Sequence, residues 1–135
     1  MQLGDADSTE LHGAFQDSAV KRIDLPGSLR TLGQRTFDSC VRLSVVQFGE
    51  ELESIGDACF HGCGLAQVVF PRSLQIIGER AFGNCRELES IAVPQDSQLG
   101  QVGRWAFAGT CVRHLVVSES VTVEEGTLAA NTAEQ

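Results

Sequence analysis

Phenylalanine recurs along this chain at a nearly fixed interval. Phe15, Phe37, Phe60, Phe82 and Phe107 stand 22, 23, 22 and 25 residues apart. Four residues ahead of each of the last four is a glycine (Gly33, Gly56, Gly78, Gly103), directly preceded by an aliphatic residue (Leu32, Ile55, Ile77, Val102). Three residues earlier again stands a leucine: Leu29, Leu52, Leu74 or Leu99. Five or six residues after each Phe comes Val20, Leu43, Leu65, Leu88 or Val112. Two more apolar positions follow it: Ile23/Leu25, Val46/Phe48, Val68/Phe70, Ile91/Val93 and Leu115/Val117. Self-similarity with a fixed period of 20 to 50 residues marks a repeat architecture. The register defines four full coils, 29–51, 52–73, 74–98 and 99–120, with a partial coil on either side.

Within a coil the apolar spacing changes character. The stretch ending in two alternating apolar residues predicts a short strand with one buried face. Ile23 and Leu25 then point inward while Arg22 and Asp24 point outward, because side chains alternate along a strand. Equivalent strands of successive coils are expected to pair in parallel, and the Pro26, Gly49, Pro71 or Pro94 that follows ends each one. The Gly-to-Cys segment around each Phe is too short for a long helix and predicts one helical or 3-10 turn. Ahead of each Phe is a small residue (Ala14, Thr36, Cys59, Ala81, Ala106), which lets that turn pack closely on the next. The repeated glycine serves either a positive φ or a close backbone approach. No coil can bury its own apolar residues, so stability has to come from stacking.

The stretch LQIIGERAFGNCRELESIAVP, from Leu74 to Pro94, carries the whole pattern. It resembles the BspA-like leucine-rich repeat, also called the Treponema pallidum type, and the resemblance extends over about residues 11–121. Gly49 and Ser118 depart from the usual proline, and the third coil has extra residues around Gln95–Ser97. The resemblance implies an α/β solenoid: a curved, right-handed superhelix with short parallel strands on the concave face and short helical or 3-10 turns on the other side. It also implies a surface protein of adhesin type that contacts partner proteins. The domain reading is a flexible N-terminal segment (1–10), the leucine-rich-repeat domain (11–121) and a degenerate cap or tail (122–135), where Leu128 stands near the expected place of a Phe.

Composition narrows the function classes. The chain has 135 residues, a net charge of −8 and 42% hydrophobic residues. An acidic surface disfavours phosphate backbones, so no nucleic-acid partner is expected. No apolar run is long enough to span a membrane, and no membrane insertion is expected. The polar N-terminus MQLGDADSTELH has no signal-peptide pattern, which alone suggests a cytoplasmic protein, whereas the family resemblance suggests the cell surface or secretion. Five cysteines, an odd number, argue against a closed disulfide framework. Cys40, Cys63 and Cys85 stand three residues after a Phe, where a ladder of small buried thiols is expected; the fourth coil has Thr110 there, with Cys111 next to it.

Candidate chemistry does not survive comparison with the repeat. Cys59, His61 and Cys63 are of zinc-ligand type, but both cysteines occupy repeat positions and no fourth ligand is evident. Asp5 and Asp7 open like a calcium loop, yet Glu10 stands where the loop needs glycine and Gln16 where it needs Glu. No phosphate-binding, dinucleotide, zincin or serine-hydrolase motif is present. The expectation is therefore no enzyme, no catalytic residue, no metal and no cofactor. Trp105, in a slot that elsewhere holds Arg35, Ala58 or Arg80, is expected to be exposed and is a candidate contact point. The candidate binding surface is the row of outward strand residues: Arg22, Asp24, Val45, Gln47, Gln67, Val69, Ser90, Ala92, His114 and Val116. Its middle is small or apolar, as suits a protein or peptide partner. The alternative is a structural repeat segment or spacer of a larger protein whose activity lies elsewhere.

Overall fold

In a computed structural model the described residues are Phe15 and residues 17–129. The candidate calcium-loop residues and the N-terminal segment 1–10 lie outside them. Nine short strands are present: β1 (Arg22–Asp24), β2 (Thr31–Leu32), β3 (Val45–Gln47), β4 (Ser54–Ile55), β5 (Gln67–Val69), β6 (Ile76–Ile77), β7 (Ser90–Ala92), β8 (Gln101–Val102) and β9 (Thr122–Val123). All pairing is parallel. The chain winds as a solenoid, and four of the five strands expected from the alternating pattern form where expected.

The Phe rings form the core. Consecutive rings from Phe15 to Phe107 stack with centroids 5.3, 5.2, 5.1 and 5.4 Å apart and planes within 12° of parallel. Phe37, Phe60, Phe82 and Phe107 are fully buried. Phe48 and Phe70 meet this column edge-on from the strand side. Leu29, Leu52, Leu74 and Leu99, with Leu43, Leu65, Leu88 and Val112, close the core around it. Burying each such side chain contributes roughly 1.5–3 kcal/mol, and ring pairs add about 0.5–1.5 kcal/mol each.

Three expectations change. First, the Phe segment is not helical: no helix or 3-10 helix is found among the described residues. The residue two before each Phe has a positive φ (Arg35 59°, Ala58 54°, Arg80 58°, Trp105 55°), and so does the residue two after it (Ser39 65°, Gly62 73°, Asn84 58°, Gly109 76°). A left-handed residue at every fourth position forbids a right-handed helix and folds the segment into successive β-turns. Those turns are laced to the next coil: the N–H groups of Arg80, Phe82 and Asn84 donate to the carbonyls of Arg104, Ala106 and Ala108 at 2.8–2.9 Å. The same lacing joins Trp105, Phe107 and Gly109 to Glu125, Thr127 and Ala129, which places Leu128 in the Phe position of the following coil.

Second, there is a sheet the apolar alternation did not announce. The two-residue strands just before the four repeated glycines, joined by β9 ahead of Glu124, form one continuous five-stranded ladder in the order β2-β4-β6-β8-β9. Here the glycine's role is close approach. A Cβ on Gly78 would lie 2.7 Å from the backbone of Gly56 and Asp57, and one on Gly103 would lie 2.7 Å from that of Gly78 and Glu79.

Third, the strand row of the candidate surface is interrupted. β1 pairs with β3 and β5 with β7, but no ladder joins β3 to β5, and residues 113–117, around His114 and Val116, form no strand. The cause is an alternation in coil length. The apolar residue after Phe stands at +5 in Val20, +6 in Leu43, +5 in Leu65, +6 in Leu88 and +5 in Val112. The extra residue of each longer coil is taken up in a β-turn, closed by Leu43 N–H to the Cys40 carbonyl (2.9 Å) and Leu88 N–H to the Cys85 carbonyl (3.0 Å). That turn leans the strand toward the preceding coil: Ser44 and Val45 both donate to the Lys21 carbonyl, and Glu89 donates to that of Ala66. A strand drawn to its predecessor leaves its successor behind.

Candidate functional site

The outward strand residues share one surface. Arg22, Val45, Gln47, Gln67, Val69, Ser90, Ala92, His114 and Val116 are exposed, and Asp24 is half-buried. Arg22 and Asp24 satisfy each other across 3.1 Å, so the charge of the first coil is internally neutralised. Further along, the row is apolar and open: Val69 keeps 65% and Val116 83% of its surface exposed. Between β3 and β5 lies an open groove of about 840 Å³, walled by Val45, Val46, Phe48, Val69 and Phe70 and edged by Glu50 and Glu89. A second groove of about 600 Å³ lies between β7 and the residues around His114. Each includes a break in the strand row, the first also reaching across β5 to Ser90 of β7. The candidate residues were legible from the alternation; the grooves were not, because they follow from the missing pairing.

The turn side holds a polar group that the sequence reading passed over. His61 Nδ1 lies 3.2 Å from Asp38 Oδ1, and its Nε2 lies 3.3 Å from the amide nitrogen of Asn84. These residues come from three successive coils at neighbouring slots after Phe. His61 is therefore half-buried and engaged on both sides. Trp105 is also half-buried: the Arg80 guanidinium lies over its ring, 4.4 Å from the centroid, and Gly126 lies against the indole with no room for a Cβ. Its surface covers neighbours, as a cation–π pair and a lid on the next coil.

The thiols form a ladder. Cys40, Cys63 and Cys85 each donate to the carbonyl of the Phe one coil earlier (Phe15, Phe37 and Phe60) at 3.0–3.1 Å. In the fourth coil Thr110 takes the slot and donates to the Phe107 carbonyl at 2.8 Å. Burial pushes the Cys59 and Cys85 thiols up to about 12; Cys63 is raised by its contact with Cys40 and by burial. Cys59, Cys63 and Cys85 are therefore almost wholly protonated near neutral pH and are poor nucleophiles; Cys40 is instead drawn down to about 7 by its hydrogen bond with Cys63, and what shields it from reagent is its complete burial. Cys111 is exposed. With Ellman's reagent at pH 8 the folded protein is therefore expected to react rapidly at one thiol, lost in Cys111→Ser, and at all five once unfolded. Two or more fast thiols in the folded state would contradict the burial described. Among the described residues no three His, Cys, Asp or Glu side chains gather as metal ligands, and no helix is long and apolar enough to cross a membrane.

This geometry agrees with what comparison finds. Residues 11–132 match the BspA type leucine rich repeat region in six copies. The chain belongs to the BspA-type leucine-rich-repeat family. Among solved structures, the pneumococcal vaccine antigen PcpA is 26% identical, with a TM-score of 0.73 over 81% of this chain and 27% of its own. The leucine-rich-repeat protein of T. pallidum is 28% identical, with a TM-score of 0.60 over 90% of this chain and 64% of its own. A leucine-rich cell surface protein from Faecalibacterium prausnitzii, 17% identical with a TM-score of 0.53 over 80% of this chain and 35% of its own, shares the fold. This BspA-type chain thus spans between about a quarter and two thirds of the proteins it resembles. A search of curated proteins finds no match.

Proposed function

We propose that this BspA-type chain is a protein-binding module and that it engages a protein or peptide on its strand face. The observation that carries the reading is the exposed apolar row, Val45, Val69, Ala92 and Val116, beside two open grooves. Exposed apolar area rimmed by polar groups is how contact surfaces present themselves on otherwise polar proteins. A surface-exposed setting, in which the binding would be adhesion, is supported by the name of one structural relative, a vaccine antigen. The fold suits binding over catalysis, since the family is one of repeat proteins. A second reading, a spacer within a larger assembly, is favoured by the greater length of those relatives.

The test is capture of a partner by wild type, by a Val69→Asp/Val116→Asp double variant, and by Arg104→Asp, which alters an exposed position on the turn side. Burying an unpaired carboxylate in an apolar contact costs several kcal/mol, so the double variant is expected to lose binding by at least about 10-fold, with Arg104→Asp unaffected. Equal retention by the double variant would refute the strand-face reading.

A further inference from the structure

The strand row repeats every two coils, not every one, and the alternation runs from loop length through pairing to burial. In loop length, the apolar residue after Phe alternates between +5 and +6 from Val20 to Val112. In pairing, both short-to-long junctions are laddered (β1-β3 and β5-β7), while neither long-to-short junction is. In burial, the central inward residue is covered in the first two shorter coils (Ile23 0%, Val68 2%), while the equivalent Val46 and Ile91 of the longer coils remain partly open; Leu115 of the last shorter coil, which has no ladder on either side, is partly open as well. The two grooves lie at the two unladdered junctions. Elsewhere the coils are continuous: the five-stranded sheet runs through every coil from β2 to β9, and the turns around Phe are laced from each coil to the next.

We propose that the double coil is the mechanical unit of this solenoid and that the two long-to-short junctions are hinges. Each hinge is clamped along the five-stranded sheet and the Phe turns and is free on the strand face. Opening the first junction breaks no hydrogen bond of the strand row; at the second, the Cys111 N–H to Leu88 carbonyl bond (2.7 Å) holds the near end of the break and the residues beyond it are unladdered, and in both places a groove that already exists widens. Closing it covers Val46 or Ile91 and restores lost apolar burial. The strand face therefore changes its spacing at two places, between Val45 and Val69 and between Ala92 and Val116, while the rest of the coil stack holds its register. This stands whether or not that face is the binding surface.

Amide hydrogen exchange on the whole chain tests it. In a parallel ladder successive residues turn their N–H groups to opposite neighbours. Leu25 donates to the Gln47 carbonyl and Val45 to that of Lys21, so Val45 and Gln47 face β1 and Val46 faces the first hinge. Phe70 donates to the Ala92 carbonyl, so Gln67 and Val69 face the same hinge from β5. The amides of Val46, Gln67 and Val69 are expected to exchange on the order of 100-fold faster than those of Val45, Gln47, Ser90 and Ala92, although the side chains of these four are all exposed. Inserting one glutamate after Gly64 converts the shorter coil to the longer kind. It is expected to slow Gln67 and Val69 to the rate of their laddered counterparts. Uniform exchange across the strand row in wild type would overturn the proposal, and so would a folded insertion variant in which Gln67 and Val69 remain fast. If the insertion prevents folding, the wild-type pattern decides alone.

Discussion

Replacing Phe60 by alanine is expected to cost about 3–5 kcal/mol of stability, the range for a buried aromatic truncated in a packed core. Phe60 is fully buried, stacks on Phe37 at 5.2 Å and on Phe82 at 5.1 Å, and receives Phe48 edge-on at 5.9 Å. Its neighbours are held by laced turns on either side, so the void cannot close by a local shift. A solenoid adds a second penalty. Each coil leans only on its neighbours, so a break at Phe60 divides the stack into two pieces, each with few coils to share. Phe15→Ala, at the half-buried end of the column, should cost clearly less, and Phe60→Leu, which keeps most of the volume, under about 1.5 kcal/mol. Thermal or urea denaturation measures all three, and a drop in Tm of about 10–20 °C is expected for Phe60→Ala. Equal effects at Phe60 and Phe15 would refute the coupled column.

The second large effect is expected from adding a single methyl group. Gly78→Ala places a Cβ 2.7 Å from backbone atoms of Gly56 and Asp57. Backbone cannot rotate aside as a side chain can, and the coils are fixed here by the Gly78 N–H donating to the Ile55 carbonyl at 2.8 Å. Relief requires separating two rungs of the five-stranded sheet. The expected cost is about 2–3 kcal/mol, in the range for overpacking a tight core. Gly27 supplies the control. Nothing lies within 4 Å of a Cβ built there, so Gly27→Ala should be neutral or gain up to about 1 kcal/mol by restricting the unfolded chain. Denaturant midpoints of the two variants check the contrast, and a Gly78→Ala protein as stable as wild type would show that the coils are not in close contact at this ladder.

What could be read from the residues alone follows from how often each signal is repeated. The Phe column, the small residue ahead of each Phe and the strands at Arg22–Asp24, Val45–Gln47, Gln67–Val69 and Ser90–Ala92 were legible, because the same residue types recur in register. The helical turn was misread because the residues that forbid it, Arg35, Ala58, Arg80 and Trp105, have no composition in common that betrays a positive φ. The five-stranded sheet escaped notice because two-residue strands such as Ile76–Ile77 are too short to display alternation. The glycines were read as serving one of two purposes, and at Gly56, Gly78 and Gly103 the structure selects close approach.

The candidate surface was legible as a row but not as a shape. Exposure of Val69 and Val116 follows from alternation, whereas the absence of a strand at His114 and Val116 follows from the direction in which a β-turn leans. The change from Val20 to Leu43 spacing was visible in the residues, yet its consequence depends on the Leu43–Cys40 hydrogen bond that takes up the extra residue. Trp105 shows the same limit. Its slot tolerates charge, and the charge that matters is Arg80, one coil earlier, lying over its ring.

Ring-to-ring nuclear Overhauser contacts in a protein labelled only at phenylalanine test the column most directly. With seven Phe in the chain, the rings can be resolved one by one. The structure predicts contacts from Phe37 to Phe60, Phe60 to Phe82 and Phe82 to Phe107, further contacts from Phe48 to Phe60 and from Phe70 to Phe82, and none from Phe37 to Phe82. Missing contacts between successive column rings, or strong contacts between column rings two coils apart such as Phe37 and Phe82 or Phe60 and Phe107, would contradict the solenoid on which the strand face and its hinges are built; the Phe70 ring, which reaches Phe107 at 6.4 Å from the strand side, is the expected exception.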